Sequence, residues 1–262
     1  MAIRRGTAEI RKIYRGSVEI KQVYRGTAKV WSSGPPPFNP ADHYLGTLYN
    51  GPLFWAPYAN SLTENFGSQP VTHQGSTGTI ELLTEDQKQH ARYRGRATFS
   101  SHQWLGTGWP GGSMGAWVRV PTGPAGGREI MHWRTSNGAN EFYISCDRAT
   151  GRPYAGAKLN NVFKETGPTA ATDIRGTWTH LYVTLERNAS GKLVLRMFIN
   201  GVVADGYVQG GTVPTTTVPA APLYIGGNSS GTVWDVEIDD PFVMSTRLIP
   251  SQVQALVAGG RS

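Results

Sequence analysis

Cysteine is almost absent from this chain: Cys146 is the only one among 262 residues, which excludes any internal disulfide. It lies in Phe142-Tyr-Ile-Ser-Cys146, a strand-like run, and such a thiol reads as a small buried hydrophobe rather than a nucleophile. Long apolar runs are absent as well. Nothing approaches the roughly 18 apolar residues of a membrane-crossing helix, and Met1-Ala-Ile-Arg-Arg5 carries charge with no apolar stretch behind it. The sequence therefore predicts neither a secretory leader nor membrane insertion, but a soluble product of a cytoplasm. Charged residues are few, at 16%, whereas 33 glycines, 17 prolines and 8 tryptophans suit many short strands joined by turns.

The marks of a reaction centre are sparse. The six histidines, His43, His73, His90, His102, His132 and His180, follow no metal-ligand spacing. No phosphate-cradling Gly-x-x-x-x-Gly-Lys loop occurs, and no cofactor is implied. A glycosidase needs two carboxylates flanking the bond it cleaves. The nearest approach is Asp235-Val-Glu-Ile-Asp-Asp240, where alternation puts Asp235, Glu237 and Asp239 on one face of a strand. The run ends at Asp240-Pro241 and lacks a third acidic residue at the place a catalytic strand requires, so a structural role for these carboxylates is expected over a catalytic one. Asp235 and Asp239 leave calcium open, although no dense Asp-x-Asp-x-Asp loop is present. The expectation is a chain that is not an enzyme.

What is present begins with charge. The net charge is +7, and residues 1–31 hold Arg4, Arg5, Arg11, Lys12, Arg15, Lys21, Arg25 and Lys29 against Glu9 and Glu19, or six units of that excess. The large remainder is nearly neutral, which argues against nucleic acid as a partner. The basic stretch repeats with period ten. Gly6, Gly16 and Gly26 align, as do Arg5, Arg15 and Arg25, and Ile10, Ile20 and Val30. The Gly-Thr and Gly-Ser pairs read as turns between strands of about eight residues. Three such strands are marginal alone, so residues 1–31 are expected to associate with copies of themselves or with a larger body. Ser32 to Pro40 is a proline-rich spacer.

From Tyr44 onward the chain reads as strands. The clearest are Trp178–Glu186, with Leu181, Val183 and Leu185 on one side and Trp178, His180, Tyr182 and Thr184 on the other, then Leu193–Ile199 and a tight turn at Asn200-Gly201. A strand with a polar and aromatic second face predicts a sheet whose front meets water or a ligand. Further strands are expected at 53–58, 79–83, 96–99, 113–120, 128–134, 141–146, 223–225 and 233–245. Loops are expected at 166–172 and 210–217, and one closing helix with Ser251 and Gln254 as a capping-box pair and Gly259 as its stop. Sugar binding without catalysis needs an aromatic platform and planar polar side chains. Trp104 and Trp109, beside a glycine-rich turn, supply candidates for the first; Arg134, Asn137 and Asn140 supply the second. Trp117, Trp178 and Tyr182 are candidates for a sheet floor.

Two resemblances add to this. Ile13-Tyr-Arg-Gly-Ser-Val-Glu-Ile20 followed by Val23-Tyr-Arg-Gly-Thr-Ala-Lys-Val-Trp31 resembles the N-terminal repeats of bacteriophage and prophage virion proteins, where such a segment leads into a larger appendage domain. The succession Asn60–Gly67, Arg96–Ser100, Met114–Arg119, Trp178–His180, Phe198–Gly201, Leu223–Gly226 and Glu237–Asp240, with the closing helix, resembles the concanavalin A-like lectin/glucanase fold and its laminin-G-like jelly rolls. Together they imply an all-β chain: a repeated β anchor at 1–31, a linker at 32–40, and a two-sheet antiparallel jelly roll at 41–262. They imply a tail fibre, spike or head fibre protein in a virion, held to other virion proteins by residues 1–31, with a lectin-like module for host cell-surface polysaccharide; because three short repeats need partners, a homotrimer is the expected assembly, with rings of other order open. A purely structural virion protein and a polysaccharide depolymerase are the alternatives.

Overall fold

The computed structural model describes residues 44–47, 52–56, 73–85, 88–105, 111–122, 129–147, 149–166, 172–204, 208–213, 218–228, 230 and 234–261, together with the N-terminal strands. Those strands are three short antiparallel pairs: β1 (Arg4–Arg5) with β2 (Ala8–Glu9), β3 (Ile13–Arg15) with β4 (Val18–Ile20), and β5 (Gln22–Arg25) with β6 (Ala28–Ser32). Arg5 pairs with Ala8, Arg15 with Val18 and Arg25 with Ala28, so each repeat carries one hairpin in the same register. The period was legible; the paired stretches are shorter than the eight residues expected. The spacer at 33–40 and the motif at 60–67 lie outside the described residues.

The helix α1 (Tyr44–Thr47) and β7 (Phe54–Trp55) precede two long strands, β8 (His73–Glu85) and β9 (Lys88–His102), paired along their lengths. Then come β10 (Gly111–Arg119), β11 (Glu129–Arg134), β12 (Glu141–Cys146), β13 (Pro153–Leu159) and β14 (Val162–Glu165). The chain continues with β15 (Thr179–Arg187), β16 (Lys192–Ile199), β17 (Val202–Val203), β18 (Val208–Thr212), β19 (Ala221–Ile225), β20 (Trp234–Met244) and the helix α2 (Pro250–Gly259). The strands of the body join in one curled antiparallel sheet, ordered β14-β13-β12-β11-β19-β9-β20-β10-β15-β16-β17, with β8 on β9, β7 on β20 and β18 on β16. Its two halves face each other. Ile144, Phe142, Leu223 and Met131 from one half share a single core with Leu181, Val183, Leu195 and Ile238 from the other. The fold is the two-layer antiparallel sandwich that the strand pattern and the resemblance predicted.

The alternation in β15 is as read: Leu181, Val183 and Leu185 enter the main core. The expectation for its second face is corrected. Tyr182 is fully buried with Trp55, Phe198, Phe242, Val253 and Leu256 in a second core beneath α2, and His180 and Thr184 are buried too. That half of the sandwich has apolar packing on both faces, so β15 is buried through seven successive residues. The cause lies partly in β20. Asp240 has φ 48°, and the β10–β20 register shifts between Gly115 and Trp117, so a bulge resets the alternation and aims Phe242 at Tyr182. Asn200 and Gly201, with φ of 49° and 79°, form the tight turn that Asn-Gly announced.

Three smaller readings change. The helix begins at Pro250, not Ser251; Ile249 is its N-cap, and Gln252 Oε1 accepts from the Ile249 amide at 3.0 Å. Proline at the first helical position costs no hydrogen bond there. Residues 210–212, expected as loop, complete β18. The strand β13 has no period-two signal in the sequence, because Ala155, Gly156 and Ala157 give no apolar alternation although all three are buried.

Candidate functional site

The outer face of β9, β20, β10 and β15 carries the acidic run, and it is closed. Asp235, Glu237 and Asp239 do share one side of β20, each with a cationic partner. Arg92 binds Asp235 with two hydrogen bonds of 3.0 Å. Arg119 donates to Glu237 at 2.7 Å and to Glu85 at 2.7 Å, and His90 Nε2 stands 3.3 Å from Glu237. Arg261 reaches Asp239 at 3.2 Å and Glu85 at 3.3 Å, and its guanidinium lies 3.8 Å from the Trp178 ring centroid. The Arg119 hydrogen bond, followed by that of Trp178, holds the Glu85 carboxyl down at about 2. Burial, reinforced by the neighbouring Asp240, pushes Asp239 well above the ordinary carboxylate range. Burial also raises Glu237, but His90 and Arg119 more than offset it and the net direction is downward. Asp239 Oδ1 further accepts from the Asp240 amide at 2.9 Å, and Asp240 accepts from Trp55 Nε1 at 3.0 Å. The carboxylates serve the turn and the ion network, as their sequence context suggested.

The opposite outer face, on β9, β19, β11, β12, β13 and β14, has a different make-up. Because inward positions belong to Met131, Trp133, Phe142, Ile144, Ala155 and Ala157, the outward ones are His132 and Arg134, Glu141 and Tyr143, and Tyr154, Gly156 and Lys158. Register aligns Thr98, Tyr224, His132, Tyr143, Gly156 and Glu165 in one row across six strands. The next row is Arg134, Glu141, Lys158 and Phe163, the last 47% exposed. Tyr143 lies flat along the sheet. A Cβ on Gly156 would come within 2.1 Å of its ring, so glycine there makes room for the aromatic to lie across β13. Its hydroxyl donates to Glu165, and burial followed by that carboxylate pushes the phenol pKa upward. His132 packs edge-on against Tyr143 at 5.8 Å, and Arg96 stands 4.9 Å over Tyr224. Glu141 lies 3.6 Å from both His132 Nε2 and Arg134 Nε; His132 first, then Arg134, hold it below its usual range against the pull of burial. The result is a partly exposed aromatic floor edged by planar polar groups.

Residues 93–254 match the family model of the concanavalin A-like lectin/glucanases superfamily. The chain belongs to that superfamily. Among solved structures it is similar to domain 4 of AbnA, a GH43 extracellular arabinanase from Geobacillus stearothermophilus, in complex with arabinotriose, with a TM-score of 0.59 and 19% identity over 79% of this chain and 98% of that one. It is also similar to a botulinum neurotoxin type C structure described by its interaction with two ganglioside molecules, with a TM-score of 0.55 and 12% identity over 79% of this chain. The serotype G binding domain gives a TM-score of 0.56 and 13% identity. The chain spans about half the length of these two toxin chains, 50% and 51%. No curated protein sequence matches it.

Within the superfamily fold, the sequence-predicted site residues separate. Trp104 is corrected: its ring is 1% exposed, stacks on Phe142 at 4.6 Å, meets Trp133 edge-on at 5.8 Å, and donates its indole N–H to the Met244 carbonyl. A glycine-rich neighbourhood did not keep it at the surface, because the full burial of a large aromatic is favourable by about 1.5–3 kcal/mol. Trp109 lies outside the described residues. Asn140 is 3% exposed and accepts from the Asn160 amide at 2.9 Å, holding two turns together, so it is structural. Asn137 is exposed, with its Oδ1 accepting from Ala139 N and Thr135 Oγ1. Arg134 sits beside Glu141 on the open face. Tyr182 and Trp178 are committed to α2 and the ion network. Gly111-Gly-Ser-Met-Gly115 spells a nucleophile-elbow motif, yet it lies within β10, and buried Ser113 donates to the Thr246 carbonyl at 2.7 Å. Cys146 is buried and its thiol is pushed up to about 12 by that burial, with Asp147 adding to it.

Sequence reasoning missed Tyr143, Tyr154 and Tyr224 as a group. The signal available was the alternation of 131–134 and 141–145, whose polar and aromatic members fall on one side. Their convergence, and the role of Gly156, depended on inter-strand register.

Proposed function

We propose that the chain is a bacteriophage virion appendage protein whose jelly roll binds host surface glycans without cleaving them. The observation that carries this reading is the Tyr143 ring laid over Gly156, with Glu165 on its hydroxyl and Glu141 beside it, on the outward side of β12 and β13. Sugars present C–H faces to aromatic rings and hydroxyls to planar acceptors and donors, and this face offers both. The arabinotriose complex of the arabinanase domain and the ganglioside interaction of the type C toxin support a saccharide as the ligand class.

The absence of catalysis is argued from the other face. Hydrolysis needs two carboxylates free to meet substrate, whereas Asp235, Glu237 and Asp239 are each engaged by arginine, and on the glycan face Glu165 is engaged by the Tyr143 hydroxyl and Glu141 by His132 and Arg134. The virion context rests on the ten-residue repeats of residues 1–31, which carry the anchoring role and, by needing partners, favour a homotrimer. Weak single sites become effective when many copies share one particle. The test is a glycan array probed with the full chain and with Tyr143→Ala, followed by a reducing-end assay on any bound glycan. Binding that depends on Tyr143 without new reducing ends is expected; new reducing ends would make the chain a depolymerase, and Tyr143-independent binding would move the site elsewhere.

A further inference from the structure

We infer that the β9–β19 end of the open face is a carboxylate subsite built on Arg96, and that the glycan it takes carries a uronate or sialate; this rests on the reading of that face as a glycan site. Arg96 differs from the arginines around it. Arg92, Arg119 and Arg134 each lie against a carboxylate, whereas among the described residues no carboxylate reaches Arg96. Its Nη1 donates instead to the Asn228 carbonyl, and its guanidinium stands 4.9 Å over the Tyr224 ring. Those two contacts fix the plane of the group and leave its Nε/Nη2 edge, on which a guanidinium takes a carboxylate with paired hydrogen bonds. The residue as a whole is only half-buried, yet Nε is screened from water and has no acceptor. A donor so placed is costly until a partner supplies the bond.

A second buried polar atom in the same row lacks a partner. His132 is 3% exposed and lies between Tyr224 and Tyr143, its ring 6.3 Å from the first and 5.8 Å from the second. Its Nε2 faces Glu141, while its Nδ1 has no hydrogen-bond partner. Charge is distributed along the row to match. Glu141 and Glu165 belong to the Tyr143 end, where Arg134 lies 3.6 Å from Glu141 and Lys158 stands opposite it across the β12–β13 pair. Arg96 belongs to the Tyr224 end, with no acid beside it. The face therefore runs from groups that suit hydroxyls at Tyr143 to a guanidinium at Tyr224. The two ring-to-ring steps together exceed the width of one sugar ring, so the carboxylate sits on a neighbour of the sugar that rests on Tyr143.

The test applies the full chain to a microarray of glycans bearing uronate or sialate, the same glycans with the carboxyl reduced to an alcohol, and sulfated glycans. The wild type is expected to favour each carboxylated glycan over its reduced form by about tenfold or more, and over the sulfated ones. Arg96→Gln should erase that preference while keeping the Tyr143-dependent signal on the reduced glycans, with thermal melts confirming that it folds. Arg96→Lys keeps the charge and a donor for the Asn228 carbonyl but has no fork, and should lose most of the preference too. Reduced glycans bound as well as the carboxylated ones, with the signal lost in Tyr143→Ala, would overturn the carboxylate subsite and leave the glycan site standing. A preference that survives both Arg96 variants, or one greater for sulfate, would also overturn it. Silence on every glycan would overturn both the subsite and the site.

Discussion

Replacing Arg261 by methionine isolates the closing of the acidic face. The guanidinium is 11% exposed, bridges Asp239 and Glu85, and lies on Trp178. Methionine keeps much of the packing on the indole while removing the charge. Asp239 is fully buried, and breaking a buried pair by deleting one partner costs about 3–5 kcal/mol, because the remaining charge is left uncompensated. The carboxyl has an escape, which is to take up a proton. Its folded pKa already lies above the unfolded value of about 3.9, and loss of Arg261 moves it further up. A raised acid binds more protons folded than unfolded, so stability falls as pH rises from the unfolded value through the folded one. Urea unfolding of Arg261→Met should therefore show a loss of about 3–5 kcal/mol at pH 8 and a clearly smaller one at pH 5. Adding Asp239→Asn should restore most of it at pH 8. A loss below about 1 kcal/mol that does not vary with pH, or a double variant no more stable than the single, would refute the account of Arg261 as the partner that permits a buried carboxylate.

Gly156→Ala should drive the Tyr143 ring from its place, since the new Cβ would lie 2.1 Å from it; calorimetric titration should show glycan affinity falling by about tenfold or more, with a stability cost of about 1–3 kcal/mol. Glu85, held at about 2 against an ordinary value of 4.5, contributes stability that is present above pH 4.5 and lost as pH falls toward 2. An acid titration followed by fluorescence should show a shallower stability loss across that window in Glu85→Gln. Trp104→Ala should cost about 3–5 kcal/mol in urea unfolding while leaving glycan affinity of the folded protein unchanged; a selective loss of binding would return Trp104 to the site.

The sandwich was legible because its core strands alternate strictly, as in 181–185, and because Asn200-Gly201 fixes a hairpin locally. The coverage of each face was not. Whether Tyr182 meets solvent or a helix depends on α2, about seventy residues later, and a period-two pattern looks the same in either case. Trp104 shows the same limit, since turn chemistry nearby says nothing of which layer an aromatic enters. Of the proposed binding residues only Arg134 was in hand beforehand. Tyr143 becomes a platform through register with Gly156, and register between neighbouring strands is set by the whole sheet rather than by either segment.

Strand β9 belongs to both layers, hydrogen-bonded to β20 through Ala91–Gly95 and to β19 through Ala97, Thr98, Phe99 and His102, with β8 along its other edge. The layers are thus stitched as well as packed. A pull that would slide two merely greasy surfaces past one another must here unzip a backbone ladder along one edge of a single ribbon. Parting the layers therefore costs backbone hydrogen bonds as well as buried area, and the aromatic floor borders that seam.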